Sequence, residues 1–275
     1  MTTPTATTAA SAASIAAAAG HTDTGSASAG IAKRSLRNIR RIPSAFLPAL
    51  LMPVFQVISF TGTYRGVTDI PTFPTDRSAN WFLPLALVMG CSFAGMGLGF
   101  ATIRDLESGF YDRLRLSPAP RRSLLLGGLW SALVRAGIAI VIVTAVGIAL
   151  GARFTGGVIG VLALVVAGLG IATVGTFWAL GLVYRLRDMR AAALMQLTLF
   201  FGLFLTEAQM PIPLMSGWLP TVARYNPLNH VLGLARVGFV GEPAWADAWP
   251  GLVTIAVLGA VTAVFARSGL NRLDD

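Results

Sequence analysis

The sequence predicts an all-α, polytopic membrane protein with six transmembrane helices, and three observations predict it. Charged residues make up 12% of the chain and mean hydropathy is +0.70, whereas soluble domains are roughly 25% charged. Six apolar windows approach the ~20 residues that cross a bilayer as a helix. Glycine is frequent, at 30 residues, as in membrane helices that pack backbone to backbone. The formal net charge of +9 falls in short segments between the apolar windows. That distribution favours membrane orientation over nucleic-acid binding.

Residues 1–30 are mostly Ala, Thr, Ser and Gly and read as a disordered tail. A signal peptide is disfavoured, because no basic stretch precedes a run of large apolar residues. Residues 31–42, "IAKRSLRNIRRI", change character. At about 100° per residue, Ile31, Leu36, Ile39 and Ile42 share one arc, and Lys33, Arg34, Arg37, Arg40 and Arg41 fill the other. This is an amphipathic basic helix suited to an anionic inner leaflet. A plain positive-inside flank is the alternative, and the sorting of faces favours the interfacial helix.

The spans follow at about 43–61, 81–102, 125–150, 158–183, 191–205 and 249–266. Pro48 and Pro53 are kink positions in the first. With both termini inside, the inner segments hold fifteen basic residues and the outer ones five. That asymmetry predicts cytosolic N- and C-termini.

The stretch "RDLESGFYDRLRLSPAPRR", Arg104 to Arg122, is then the first cytosolic loop, with eight charged side chains in nineteen residues. Ile103, Leu106, Phe110 and Leu114 recur at helical spacing and give a short helix over about 103–116. "SPAP" stops it, since each proline disfavours helix in the residue before it. Such a helix either lies passively at the interface or docks into a soluble partner, and the pattern serves both.

Residues 206–248 are too apolar for an ordinary external loop and are broken by prolines. Leu228, Leu232, Ala235 and Phe239 mark a helical face, and Trp218 and Trp245 suit the headgroup level. Short, proline-broken apolar helices fit re-entrant segments; an amphipathic outer loop is the alternative.

Two ionisable residues lie near membrane depth. Arg135 falls about two turns into the third span, where a charge is a functional candidate; snorkelling or pairing with a neighbouring helix competes with that role. Glu207 closes the fifth span at the outer side and either caps a pathway or is solvated. Asn226 and Pro227, in the proline-broken segment, complete the candidates for a pathway or gate.

Several chemistries are disfavoured. Lys33 is the one lysine and fits no Gly-x-x-x-x-Gly-Lys-Ser/Thr loop, so the chain is not expected to hydrolyse nucleotide. Cys91 is the one cysteine, which excludes an intrachain disulfide. His21 and His230 have no companions at ligand spacing, so no metal site is expected. No nucleophile–base or paired-carboxylate arrangement stands at helical spacing.

"RDLESGFYDRLRLSPAPRRSLLLGG", "LGARFTGG", "VYRLRD" and "MPIPLMSGWLPTVARYNPLNHVLGLARVGF" follow one another in an order that resembles ABC transporter permeases of the type-2 export superfamily. The likeness is nearest to the antibiotic-resistance (daunorubicin-type) permeases and covers about residue 31 onward. It implies an efflux subunit in a bacterial plasma (inner) membrane that pairs with a second permease, a copy or a sibling, among membrane lipids. It also implies docking on two separate ATP-binding subunits, which hold the ATP and Mg, with no cofactor in this chain. Under it, residues 31–42 become the connecting helix, 103–116 the coupling helix and 206–248 the outer re-entrant helices. Glu107, Gly109, Phe110, Arg113 and Leu114 become the contact with the ATPase. The expected cargo is an amphipathic drug, lipid or glycan; a proton-coupled secondary transporter or a membrane-embedded scaffold is the alternative.

Overall fold

A computed structural model describes residues 43–109 and 122–273, together with 25, 28–30, 32, 33 and 37. Among the described residues the secondary structure is helical throughout. The α-helices are α1 (Pro43–Thr63), α2 (Ser78–Glu107), α3 (Arg122–Ala149), α4 (Gly157–Leu186), α5 (Arg190–Phe204), α6 (Leu219–Tyr225), α7 (Pro227–Arg236) and α8 (Trp245–Asn271). Short 3-10 turns occupy Arg65–Asp69 and Ile212–Leu214.

Four helices, α2, α3, α4 and α8, are long and apolar enough to cross a membrane. They coincide with the second, third, fourth and sixth expected spans and overrun most of them by a turn. Shorter apolar helices stand at the other two places, Leu50–Thr63 within α1 and Arg190–Phe204. At 1.5 Å per residue, the 15 residues of α5 reach only about 22 Å, against a hydrocarbon core of about 30 Å.

The helices alternate in direction. Glu107, Leu186, Arg190 and Asn271 therefore share one end of the bundle, here the Glu107 end. Ser78, Ala149, Gly157, Phe204 and Trp245 share the other, the Trp81 end.

Helix α2 is the axis of the fold. It is apolar on every side, the pattern of a helix enclosed by others, and 94% of its most apolar window is buried. It packs against α4, α3 and α1. Small residues make the α2–α4 approach possible: a Cβ on Gly95 would meet the Ala172 carbonyl oxygen at 2.4 Å, and one on Gly99 would meet the Ala179 Cβ at 2.9 Å. Gly175 faces Ser92 from the other side. This is small-xxx-small packing, driven by close van der Waals contact rather than by the hydrophobic effect, which vanishes between helices in lipid. Cys91 is fully buried on the same helix.

Helix α8 is the reverse case, with 11% of its window buried. Val253, Val257, Val261 and Val264 are all more than half exposed and form one stripe. Leu194, Leu197, Phe201 and Phe204 form a second exposed stripe on α5. Apolar faces left open in this way belong against lipid or another apolar surface.

The structure differs from two expected boundaries. Residues 103–107, expected from their apolar spacing to begin a separate helix in the charged cytosolic loop, are the last turn of α2. The break comes after Glu107: Ser108 caps with its N–H on the Arg104 carbonyl, and Gly109 turns at φ 65°. Charge marks where a helix leaves hydrocarbon, not where its hydrogen bonds stop. Residues 28–30, counted with the tail, are helical; Ala and Ser are compatible with helix when a surface is at hand. Ser28, Ala29, Ala32 and Lys33 line a cavity of about 600 Å³ against Leu126 and Trp130 of α3.

Helix α4 ends at Arg187, which adopts the left-handed conformation (φ 57°) at its C-terminal cap and donates its N–H to the Val183 carbonyl. Glycine is usual at such a position. The Asp188 carboxylate accepts the Arg190 N–H and starts α5 at once.

Candidate functional site

A polar network lies at the Trp81 end, with α7 at its centre. Asn226 opens this helix: its Oδ1 accepts the Leu228 N–H at 3.0 Å, and Pro227 fills the first helical position, where no donor is needed. The Asn226 amide also donates to the carbonyls of Gly202 (2.7 Å) and Leu205 (2.9 Å). One side chain thus starts α7 and satisfies the exposed carbonyls that end α5.

One apolar stripe of α7 turns inward: Leu232 and Ala235 are fully buried and Leu228 is half-buried, while Phe239, expected on the same helical face, is fully buried in the turn that follows the helix. Arg236 stands one turn beyond Leu232 and goes inward with it, 5% exposed. Its guanidinium donates to Glu207 Oε1 at 3.0 Å, the Glu207 carbonyl at 2.9 Å and the Ala208 carbonyl at 3.2 Å. Its other contact is the face of Trp81, 3.5 Å from the ring centroid. Asn229 accepts the Glu207 N–H at 2.9 Å.

The network continues to the start of α2. Asn80 donates to the Phe239 carbonyl at 2.8 Å and accepts the Arg153 N–H at 2.8 Å. The N–H groups of Thr155 and Gly156 donate to the Gly238 carbonyl, and a Cβ on Gly160 would meet the Gly238 Cα at 2.3 Å. The ends of α2, α4, α5 and α7 are therefore tied together.

This arrangement has no chemistry of hydrolysis. It holds a carboxylate and a guanidinium against each other, and a buried charge is tolerable when it is paired and hydrogen-bonded. Among the described residues no group of three His, Cys, Asp or Glu is placed to hold a metal.

Of the expected pathway residues, the structure brings Glu207, Asn226 and Pro227 together at this end, with Glu207 paired rather than simply solvated. Arg135 is elsewhere. It is 8% exposed on α3 and faces α2, where a Cβ on Gly97 would lie 3.2 Å from its Nη1. The missing side chain at Gly97 makes room for the guanidinium.

Of the expected docking residues, Glu107 is exposed at the last turn of α2 and Gly109 makes the break after it. Phe110, Arg113 and Leu114 lie outside the described residues. Lys33 and Arg37 are exposed, while Arg34, Arg40 and Arg41 lie outside the description.

Sequence reasoning passed over Arg236, Trp81, Asn80 and Asn229, counting Arg236 only as an outer cation. A signal was present: an arginine four residues after Leu232 falls on the buried face.

The comparisons with known proteins bear on this architecture. The model of the ABC-2 type transporter family matches residues 29–240. The chain belongs to that family. It is 26% identical over 237 residues to the daunorubicin resistance ABC transporter permease protein DrrB1 of Streptomyces coeruleorubidus, covering 85% of this chain and 81% of that protein. It is 23% identical over 206 residues to the putative transport permease ycf38 of Cyanophora paradoxa, covering 74% of this chain and 70% of that one. The ycf38 of Porphyra purpurea is 24% identical over 207 residues at the same coverage. The family and the apolar helices make this chain a multi-pass membrane permease.

Proposed function

We propose that the chain is the transmembrane subunit of an ATP-driven exporter, energised by separate ATP-binding subunits. The family match over residues 29–240 carries the reading. A chain whose one lysine lies outside any phosphate-binding loop supports placing the ATPase, with its ATP and Mg, in a partner. The daunorubicin resistance named for one relative supports an amphipathic drug as cargo, with lipid and glycan-type cargoes as the wider class.

In this reading α1 and α5 join the four long helices to make six spans in a bacterial plasma (inner) membrane. Both termini and the Glu107 end face the cytosol, and α6 and α7 are re-entrant on the outer side. Two copies, or this chain and a sibling, pair across the cargo path, each on one ATP-binding subunit, in contact with membrane lipids and without nucleic acid.

The mechanism follows from the course of α2. Closure of the ATPase dimer pushes on residues 103–116, with Glu107, Gly109, Phe110, Arg113 and Leu114 at the contact. The first part of that segment is α2 itself, so the push reaches the most buried helix without a hinge before Ser108. Movement of α2 along the glycine-lined face of α4 then loads the polar network at the far end, where Glu207, Asn226 and Pro227 lie near the exit. This is a shear of packed helices. Arg135, against Gly97, moves with it.

The test joins composition to coupling. Purified from its own membrane, the chain brings an ATP-binding subunit in one-to-one ratio, and ATP drives transport by the reconstituted complex. Glu107→Arg and Leu114→Asp leave the chain folded but uncouple hydrolysis from transport. Transport without that subunit, driven by a proton gradient, would sink the proposal. Full coupling in both variants would remove the docking assignment alone.

A further inference from the structure

The Glu107 end carries a second feature, on α4 and α8. Arg185, Arg187 and Arg272 line one cavity of about 310 Å³ together with Tyr184, where α4 and α8 finish side by side. Among the described residues no carboxylate comes within salt-bridge distance of these three arginines. Asp188, the nearest in sequence, is engaged by Arg190 at 3.3 Å.

Arg185 is fixed from both helices. Its Nη1 donates to the Gly181 and Phe265 carbonyls, each at 2.8 Å, its Nη2 to Ser268 Oγ at 2.7 Å, and its carbon Cζ stands 3.7 Å above the Phe265 ring. Three of its five N–H donors are used. Arg187 donates to the Arg272 carbonyl at 2.6 Å and keeps four.

Helix capping explains part of this, since cations suit helix C-termini. It does not explain all of it. Two C-termini offset about one positive charge, leaving roughly +2 around the cavity. Arg187 also holds a left-handed backbone, the one non-glycine residue with positive φ among the described residues. Glycine would meet the conformational need there at lower cost; the arginine adds a cationic side chain that reaches the end of α8. The cavity lies at the lower limit for small-ligand sites, large enough for a headgroup and too small for a drug-sized cargo.

We infer that this cavity binds the phosphate of an anionic phospholipid, with Arg187 and Arg272 as ligands and Arg185 as the fixed floor. Clustered cations between membrane helices suit such headgroups. Only the choice of leaflet, the inner one, rests on the topology proposed above.

The experiment measures lipid retention by native mass spectrometry of the purified full chain, offered phosphatidylglycerol and phosphatidylcholine separately. Wild type retains phosphatidylglycerol selectively. Arg187→Gly weakens retention about fivefold, and adding Arg272→Gln weakens it about 30-fold in total. Thermal stability of R187G is equal to or above wild type, so its loss of lipid cannot come from unfolding.

An equal loss in Lys33→Gln/Arg37→Gln would mean non-specific surface charge and would overturn the site. Binding of millimolar inorganic phosphate with no preference for phosphatidylglycerol over phosphatidylcholine would keep the phosphate site and overturn the lipid as its occupant. Selective retention gained only in Asp274→Asn/Asp275→Asn would mean that the chain's own acidic residues fill the cavity, also overturning it. None of these outcomes depends on an ATPase partner or on transport.

Discussion

Replacing Arg236 by Met removes the centre of the polar network and nearly preserves side-chain volume. The loss comprises three charge-assisted hydrogen bonds and the stacking on Trp81. Left behind are two backbone carbonyls and the Glu207 carboxylate. Removing one partner of a buried pair costs about 3–5 kcal/mol. The Glu207 side chain is 23% exposed and regains some water, which sets the expectation at the lower end, about 3 kcal/mol. For a chain of this size that is a fall of roughly 6–12 °C in Tm. Glu207→Gln keeps an acceptor for Arg236 and loses only the charge, so it costs less, about 1–2 kcal/mol. Thermal unfolding in detergent, followed by tryptophan fluorescence, measures both. In R236M/E207Q the two losses overlap, and the cycle returns a coupling of about 1 kcal/mol or more. A fall below about 2 °C in R236M, or strict additivity, would refute the claim that this pair holds the four helix ends together.

Gly95→Leu drives a side chain into the Ala172 carbonyl and prevents stable assembly, whereas Gly259→Ala, with open space around it, is neutral or slightly stabilising; yield of monodisperse protein separates the two. Asn226→Asp keeps the cap of α7 but loses both donors to α5, so it destabilises by about 1–3 kcal/mol, while Asn226→Ala loses the cap as well and costs more; thermal unfolding ranks them. Cys91 is fully buried, so single-cysteine labelling needs no cysteine-free background. In intact cells a membrane-impermeant maleimide labels Asp69→Cys and spares Ser108→Cys, and the opposite pattern would invert the proposed topology.

The long helices were legible because a charge-free run of the right length has few other uses. Their ends were less so. Arg104, Asp105 and Glu107 signal water, yet each is compatible with helix, and α2 runs through them to Glu107. The inward stripe of α7 was read correctly at Leu232 and Ala235, whereas Phe239 is buried from the turn beyond the helix. Arg236 on the same face was not, because a charge is read as exposed until a partner is known. That partner, Glu207, is 29 residues earlier in the chain, and its other support, Trp81, lies on a different helix. No period in a single sequence connects residues so far apart.

The unequal lengths of α4 and α5 set a problem of thickness. Their 30 and 15 residues correspond to about 45 Å and 22 Å, and no single bilayer matches both. A membrane can thin around a short helix, at a cost that rises with each ångström of mismatch. Otherwise the helix end must be covered by protein, since bare carbonyls are not tolerated in hydrocarbon. Asn226, on the carbonyls of Gly202 and Leu205, takes the second course. In the six-span reading proposed above, the lipid beside α5 then keeps its ordinary thickness, and the remaining quarter or so of the crossing is made of protein that can rearrange, where a rigid continuous helix could not.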